Sequence, residues 1–188
     1  MTEAREKVLL LYSTCDGQTR AITEAVAEHL AGAFPVDVVD IVDFNPAELP
    51  AYRAVFIGAG LRYGMFNKRV KRFTRRHAAA LNAVPSAFAG VCLIARKPHK
   101  RSVVTNVYLR KFFRDHPWHP QILTGVAGAL LYPRYTWYDR LAIRLIMTIT
   151  GGETDTTKEI VYTDWEQVRQ IAREFQELVE KNTRGLTG

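Results

Sequence analysis

The stretch Val8-Leu9-Leu10-Leu11-Tyr12-Ser13-Thr14-Cys15-Asp16-Gly17-Gln18-Thr19 governs the reading of the whole chain. Its first five residues are a short apolar run of the kind buried on both faces of a parallel sheet. From Thr19 to Leu30 the apolar residues Ile22, Ala25, Val26 and Leu30 recur at helical spacing, so a strand passes through Ser13–Thr19 into a helix. Hydroxyls at Ser13, Thr14 and Thr19, a flexible Gly17 and the free N–H groups of a helix start make an anion cradle there. The loop lacks a Lys, so it is not a Walker loop, and it lacks G-x-G-x-x-G, so it is not a dinucleotide fingerprint. Such a cradle suits a phosphate monoester held mainly by neutral donors. An N-capping turn would use the same residue types.

Outward from this unit the alternation repeats. Strands are expected at Val36–Val42, Ala54–Ala59, Ser86–Ala95 and Ile122–Leu131. Helices are expected at Lys68–Leu81, Val103–Phe113, Trp137–Ile149 and Thr163–Val179, the last opened by a Thr163-x-x-Glu166 capping box. Only a weak helix, or none, fits between the second and third strands. Short apolar strands alternating with amphipathic helices argue for an α/β domain, a parallel sheet covered on both faces. Ligands of such folds sit beyond the carboxyl ends of the strands. No repeat or linker divides residues 1–188, and residues 1–6 and 181–188 read as loose ends.

At 188 residues the chain can bury a real core, and its balance of hydrophobic and charged residues excludes wholesale disorder. No apolar run reaches the roughly 18 to 20 residues that span a bilayer, and no signal peptide is expected. The net charge of +7 is unevenly placed. Residues 1–61 hold 4 basic and 9 acidic side chains, 62–144 hold 17 and 2, and 145–188 hold 5 and 8. The middle is built to meet something anionic: nucleic acid, a lipid surface, or a carboxylate or phosphate ligand. No nucleic-acid motif accompanies the basic runs Lys68–Arg76 and Arg96–Arg101, so a solvated or lipid-facing surface is favoured and no nucleic-acid partner is expected.

Cys15 and Cys92 provide no disulfide framework. Cys92 reads as a small core residue, and Cys15 has no neighbouring His to activate it. His116-Pro117-Trp118-His119-Pro120 offers two imidazoles, but its prolines break helical presentation and no metal site is expected. The second loop, Gly58–Phe66, combines glycines with Tyr63, Phe66 and Arg62, a surface for a planar ring or a turn whose aromatics pack on the domain. Within Trp137–Ile149 the stripe Tyr138, Leu141, Ala142, Leu145, Ile146, Ile149 leaves Trp137, Ile143 and Met147 outside it, so much of the helix is apolar, with Arg134, Arg140 and Arg144 along its length. That composition suits a helix lying in a membrane interface, and equally one packed on the core.

The first loop resembles the FMN phosphate loop of flavodoxins. The resemblance extends through Ile57-Gly58-Ala59-Gly60-Leu61-Arg62-Tyr63-Gly64, Ala95-Arg96-Lys97-Pro98, Tyr132-Pro133-Arg134-Tyr135-Thr136-Trp137-Tyr138-Asp139-Arg140, Gly151-Gly152-Glu153-Thr154-Asp155-Thr156 and Val161-Tyr162-Thr163-Asp164-Trp165-Glu166. Over about residues 7–178 the chain is similar to the bacterial quinone-dependent protoporphyrinogen IX dehydrogenases. The resemblance implies a flavodoxin-like doubly wound sheet of five parallel strands, order 2-1-3-4-5, with an insertion at about 132–158.

It further implies non-covalent FMN, held by Ser13, Thr14, Cys15, Asp16, Gly17, Gln18 and Thr19 at its phosphate end. Gly60, Leu61, Arg62, Tyr63 and Gly64, then Ala95, Arg96 and Lys97, would lie along the ring. Arg62, Arg96, Lys97 and Arg134 are candidates for meeting substrate carboxylates or reduced flavin; no other catalytic residue is assigned. The implied activity takes six electrons from protoporphyrinogen IX in three flavin turnovers, passing them to menaquinone or ubiquinone in haem synthesis. The implied place is peripheral, at an anionic membrane surface on the cytoplasmic face of the bacterial inner membrane; the oligomeric state is left open. A membrane-associated flavodoxin-type electron carrier and an NAD(P)H:quinone reductase are the rival readings. Flavodoxin carriers are usually acidic, which weighs the basic middle against the first rival.

Overall fold

The computed structural model describes residues 6–131, 137–150, 154–157 and 159–186. Five parallel strands form the sheet: β1 (Val8–Ser13), β2 (Val36–Asp40), β3 (Ala54–Arg62), β5 (Ser86–Val91) and β6 (Ile122–Val126), in the order β2-β1-β3-β5-β6. The short β4 (Met65–Phe66) pairs only with the end of β3, so the main strands follow the expected 2-1-3-4-5 order. β3 lies at the centre, and β1 beside it sets Leu10 opposite Val38 on one side and Phe56 on the other.

The strand period of two divides the apolar residues between two cores. Leu9, Leu11, Val55, Ile57 and Phe88 face α2 (Lys68–Arg76), α3 (Ala78–Asn82) and α4 (Val107–Phe113). Val8, Leu10, Ala54, Phe56 and Ala89 face α1 (Gln18–Leu30) and α6 (Trp165–Leu186). Burial on both sides explains the unbroken apolar strands. The charge is sorted by the same division. α2 and α4 carry eight basic and no acidic residues, whereas α1 and α6 carry five basic and six acidic.

Several elements differ from the sequence expectation, each for a local reason. The expected helix over 68–81 breaks at His77, where Thr74 turns its hydroxyl back onto the Val70 carbonyl (2.9 Å) and meets His116 Nε2 at 3.2 Å. The strand expected over 86–95 stops at Val91, because its partner β6 ends at Val126; a 3-10 turn, Leu93–Arg96, follows. α4 starts at Val107 rather than at 103, since Asn106 caps it by accepting from the N–H groups of Tyr108 and Leu109. The strand expected over 122–131 divides into β6 and β7 (Ala129–Leu131), which pairs antiparallel with β8 (Glu159–Val161). That separate ribbon flanks α5 (Trp137–Thr150) at the base of the insertion.

α6 is capped by Asp164, not Thr163: its carboxylate accepts from the N–H groups of Glu166 and Gln167, both at 3.2 Å. The helix also runs to Leu186, beyond the loose end expected from residue 181. Thr183 donates to the Val179 carbonyl (3.0 Å), Arg184 pairs with Glu180 (3.5 Å), and Arg53 donates a hydrogen bond to Thr183. His116 is a core residue, both ring nitrogens engaged by Thr74 and the Trp118 N–H; its pKa is lowered to about 4, chiefly by burial.

Phe88 is fully buried, with the rings of Phe66, Phe112, Phe113 and Trp118 centred 5.1–6.0 Å away. Replacing it with Ala should cost about 3–5 kcal/mol. In urea unfolding without added ligand, the midpoint should fall with the slope unchanged. A loss under about 1 kcal/mol would contradict this account of the core.

Candidate functional site

The site begins with how closely α1 approaches the sheet. A Cβ at Gly58 would stand 2.4 Å from Thr23 Oγ1, and one at Gly60 would stand 2.9 Å from Thr19 Oγ1 and 3.3 Å from the Ser13 carbonyl. The two glycines thus lie within β3, not in the loop where the sequence placed them, and let the first turns of α1 rest on its backbone. At the helix start Gly17 occupies the cap position with φ 87°, and no side chain caps the helix. Thr14 Oγ1 accepts from the Gly17 N–H (3.0 Å). The first-turn N–H groups of Gln18, Thr19 and Arg20 therefore open beyond the carboxyl end of β1, where the helix dipole favours an anion.

The second wall is a two-residue hairpin. Tyr63 (φ 50°) and Gly64 (φ 73°) both adopt left-handed backbone, the requirement of a type I′ turn, and pair Arg62 with Met65. Tyr63 stays largely exposed. Arg62 stacks over its ring at 5.3 Å and approaches Asp16 at 3.6 Å, so the guanidinium ties the second loop to the first. Its hydrogen bond with Tyr63, then contacts with Cys15 and Asp16, hold Arg62 charged beyond its ordinary range, against the opposing effect of burial.

The third wall is the turn after β5. Cys92 is buried, its thiol pKa pushed up by burial, with Asn106 Nδ2 at 3.5 Å. Arg96 folds over the turn to donate to the Leu93 carbonyl (3.1 Å). Arg101 donates to the Ala95 carbonyl (3.3 Å) and to Asp164 (3.0 Å), while its own carbonyl accepts from the Gly125 N–H (2.7 Å). One residue thus fastens the turn to β6 through its backbone and to the start of α6 through its side chain. Gln18 closes the circuit: it donates to Thr163 Oγ1 (2.9 Å), which donates to the Ala127 carbonyl (2.8 Å).

These walls enclose a cleft of about 250 Å³. Of the expected site residues, Thr14, Cys15, Asp16, Gln18 and Thr19 line it, with Gly60, Leu61, Arg62, Tyr63, Gly64 and Arg96. Ser13 and Ala95 are buried behind the lining, Gly17 shapes the helix start, and Lys97 is exposed outside the cleft. Pro98 follows Lys97 and starts a further 3-10 turn, Pro98–Lys100. Arg134 lies outside the described residues. The structure adds Tyr108 from α4, Gly128 beyond β6 and Ile143 from α5. Neutral hydroxyl and N–H donors at one end, with apolar walls beyond, fit a planar ring bearing a phosphate.

Residues 9–157 match the flavodoxin domain family. The chain is 48% identical over 178 residues to the protoporphyrinogen IX dehydrogenase (quinone) of Escherichia coli strain K12, covering 94% of this chain and 98% of that protein. It is 49% identical over 177 residues to the protein of the same name from Leishmania major, covering 93% and 77%. A flavodoxin of Streptococcus pneumoniae TIGR4 superposes with a TM-score of 0.55 over 94% of this chain and 99% of its own, at 10% identity. That last likeness bears on the fold.

The Arg101–Asp164 pair yields a pH test. The Asp164 carboxyl is lowered from its ordinary 3.8, first by the Gln167 N–H and then by Arg101. A depressed value means its contribution is present above the ordinary carboxylate range and is lost as pH falls through the lowered value. Asp164→Asn keeps a capping oxygen and loses the charge. It should lower the thermal midpoint at pH 7, and by much less in acid below the carboxyl's lowered value. An equal deficit at both pH values would contradict the charge-pair assignment.

Proposed function

The chain belongs to the flavodoxin family and, within it, to the quinone-dependent protoporphyrinogen IX dehydrogenases, and from that membership we infer that it oxidises protoporphyrinogen IX to protoporphyrin IX, with FMN as cofactor and a quinone as acceptor. The observation that carries this is the extent of the identity. An alignment of 178 of 188 residues includes most of the 132–158 segment, where plain flavodoxins differ, along with the strand-end loops.

The cleft supplies what such an enzyme needs from its protein. The uncapped start of α1 and the hydroxyls of Thr14 and Thr19 would hold the FMN phosphate. Tyr63, Tyr108 and the Leu93–Arg96 turn would wall the ring. Bound there, FMN accepts two electrons at a time, so the six electrons and six protons lost by the porphyrinogen reduce three quinones to quinols. Arg62 and Arg96 place fixed cations at the cleft for substrate carboxylates or developing negative charge. Asp16 is the one carboxylate lining the cleft among the described residues, and it faces Arg62.

The acceptor is a membrane quinone, menaquinone or ubiquinone, met at an anionic membrane surface on the cytoplasmic face of a bacterial inner membrane. The placement of apolar side chains supports this reading. Among the described residues, the large ones left exposed follow the carboxyl ends of strands or belong to the insertion. Val42 follows β2; Tyr63 and Met65 follow β3; Val104 and Val107 follow β5; Val161 and Trp165 flank the last turn. On α5, Trp137, Tyr138, Leu141 and Leu145 are 55–77% exposed. Among the described side chains of α5, Ile143, off the expected stripe, meets the cleft, while Tyr138, Leu141 and Leu145 are exposed. A helix with that exposed face, and Arg144 exposed beside it, suits a lipid interface.

Anaerobic mixing of the FMN-loaded protein with protoporphyrinogen IX should bleach the flavin absorbance, and either quinone should restore it. Bleaching by NAD(P)H with none by the porphyrinogen would overturn the reading in favour of a quinone reductase. Co-sedimentation with acidic phospholipid vesicles tests the surface: changing Trp137, Leu141 and Leu145 together to Ser should reduce binding at least tenfold. Indifference of the parent protein to vesicles would contradict peripheral attachment.

A further inference from the structure

A second cavity, of about 490 Å³, lies between α2 and the segment that follows β2. Its two walls differ in chemistry. Arg69, Arg72 and Arg76 stand at i, i+3 and i+7 on α2, one face of the helix spread over about 10 Å. Ile41, Val42, Phe44 and Pro46 form the opposite wall, and Phe73 packs edge-on against Phe44 between them (6.0 Å). Among the described residues, none of the three guanidinium groups makes a hydrogen bond or ion pair, and no carboxylate lines the groove. The neighbouring Arg75, by contrast, donates to the Asp115 carbonyl (3.3 Å). His77 closes the groove and is kept towards its neutral form, by burial first and then by Arg76, so the groove's positive charge is that of the three arginines.

We propose that this groove seats the phosphate headgroup of an acidic phospholipid, with the glycerol and first acyl carbons against Val42, Phe44 and Pro46. Three unpaired guanidinium forks match phosphate oxygens in geometry and charge. A free phosphate would gain nothing from the apolar wall, whereas an amphiphilic anion uses both sides. Val42 is half exposed and belongs both to the groove and to the apolar rim at the carboxyl edge of the sheet, so the groove continues that rim. The inference rests on the peripheral-membrane reading above and assigns it a specific headgroup site.

The test uses two triple variants of the full, FMN-loaded chain. Arg69→Gln, Arg72→Gln and Arg76→Gln empty the groove of charge. Lys68→Gln, Lys71→Gln and Arg75→Gln make the same change in net charge at the same spacing, one residue away around α2. Each cation near an anionic bilayer is worth on the order of fivefold in partitioning. With vesicles of phosphatidylglycerol in phosphatidylcholine, the groove variant should bind roughly 100-fold more weakly, and the control variant less than tenfold more weakly. Circular dichroism and thermal midpoints verify that both fold. Equal losses in the two variants, with the parent still binding, would overturn the groove and leave membrane attachment standing. Failure of the parent to bind vesicles would overturn both. A His77 ring resonance that moves with inorganic phosphate but not with vesicles would assign the groove to a soluble phosphate and overturn the lipid.

Discussion

The close contact between the start of α1 and the backbone of β3 is the constraint on which the site depends. It exists because positions 58 and 60 carry no Cβ: either would drive into a threonine hydroxyl of α1 at under 3 Å. With the helix pressed onto the strand, its uncapped N-terminus is delivered to the mouth of the sheet, beside the hairpin that presents Tyr63. The remaining walls are then referred to this one. Arg62 reaches across to Asp16, and Gln18 reaches through Thr163 to Ala127. Arg101 holds the turn after β5 against the start of α6. The packing turns helix N–H groups and hydroxyls toward the cleft without a lysine in the loop, the donors a phosphate would use.

The fold separates charge from apolarity in space. Charge is sorted between the two faces of the sheet, with α2 and α4 wholly basic in their ionisable residues apart from Tyr108. Among the described residues, the large exposed apolar side chains follow the carboxyl ends of strands or belong to α5 and its flanks. The groove beside α2 is where the two distributions meet. For an enzyme whose substrate carries carboxylates on an apolar macrocycle and whose acceptor is a quinone, the cleft offers the cations Arg62 and Arg96 beside apolar walls. The +7 net charge is the residue of this sorting, not a uniform property of the surface.

Much of the fold was legible in the sequence because its signals are local. Val8–Tyr12 and Ala54–Ala59 could be read as interior strands from unbroken apolar runs, and Ser13–Thr19 as the passage from strand to helix. What was not legible depended on partners distant in the chain. Thr163 and Asp164 are both good cap residues; the former is excluded only because its hydroxyl is committed to Ala127 and Gln18. Gly58 and Gly60 look like loop glycines until Thr19 and Thr23 are packed against them. Tyr108 and Ile143 enter the cleft from helices whose direction no periodicity reveals. Arg96 and Lys97 look alike in sequence, but the 3-10 turn leaves Lys97 exposed and folds Arg96 back onto the Leu93 carbonyl.

The most direct test of this account compares FMN with riboflavin, which differ by the phosphate alone. Thr19 lies at the helix start, nine-tenths or more buried, with its hydroxyl at the cleft. Thr19→Val preserves its shape and removes one donor to a charged group, a loss of about 10- to 100-fold. In fluorescence titrations the variant should bind FMN weaker by that factor and riboflavin with unchanged affinity. Equal weakening of both ligands, or of neither, would contradict a phosphate held by the start of α1.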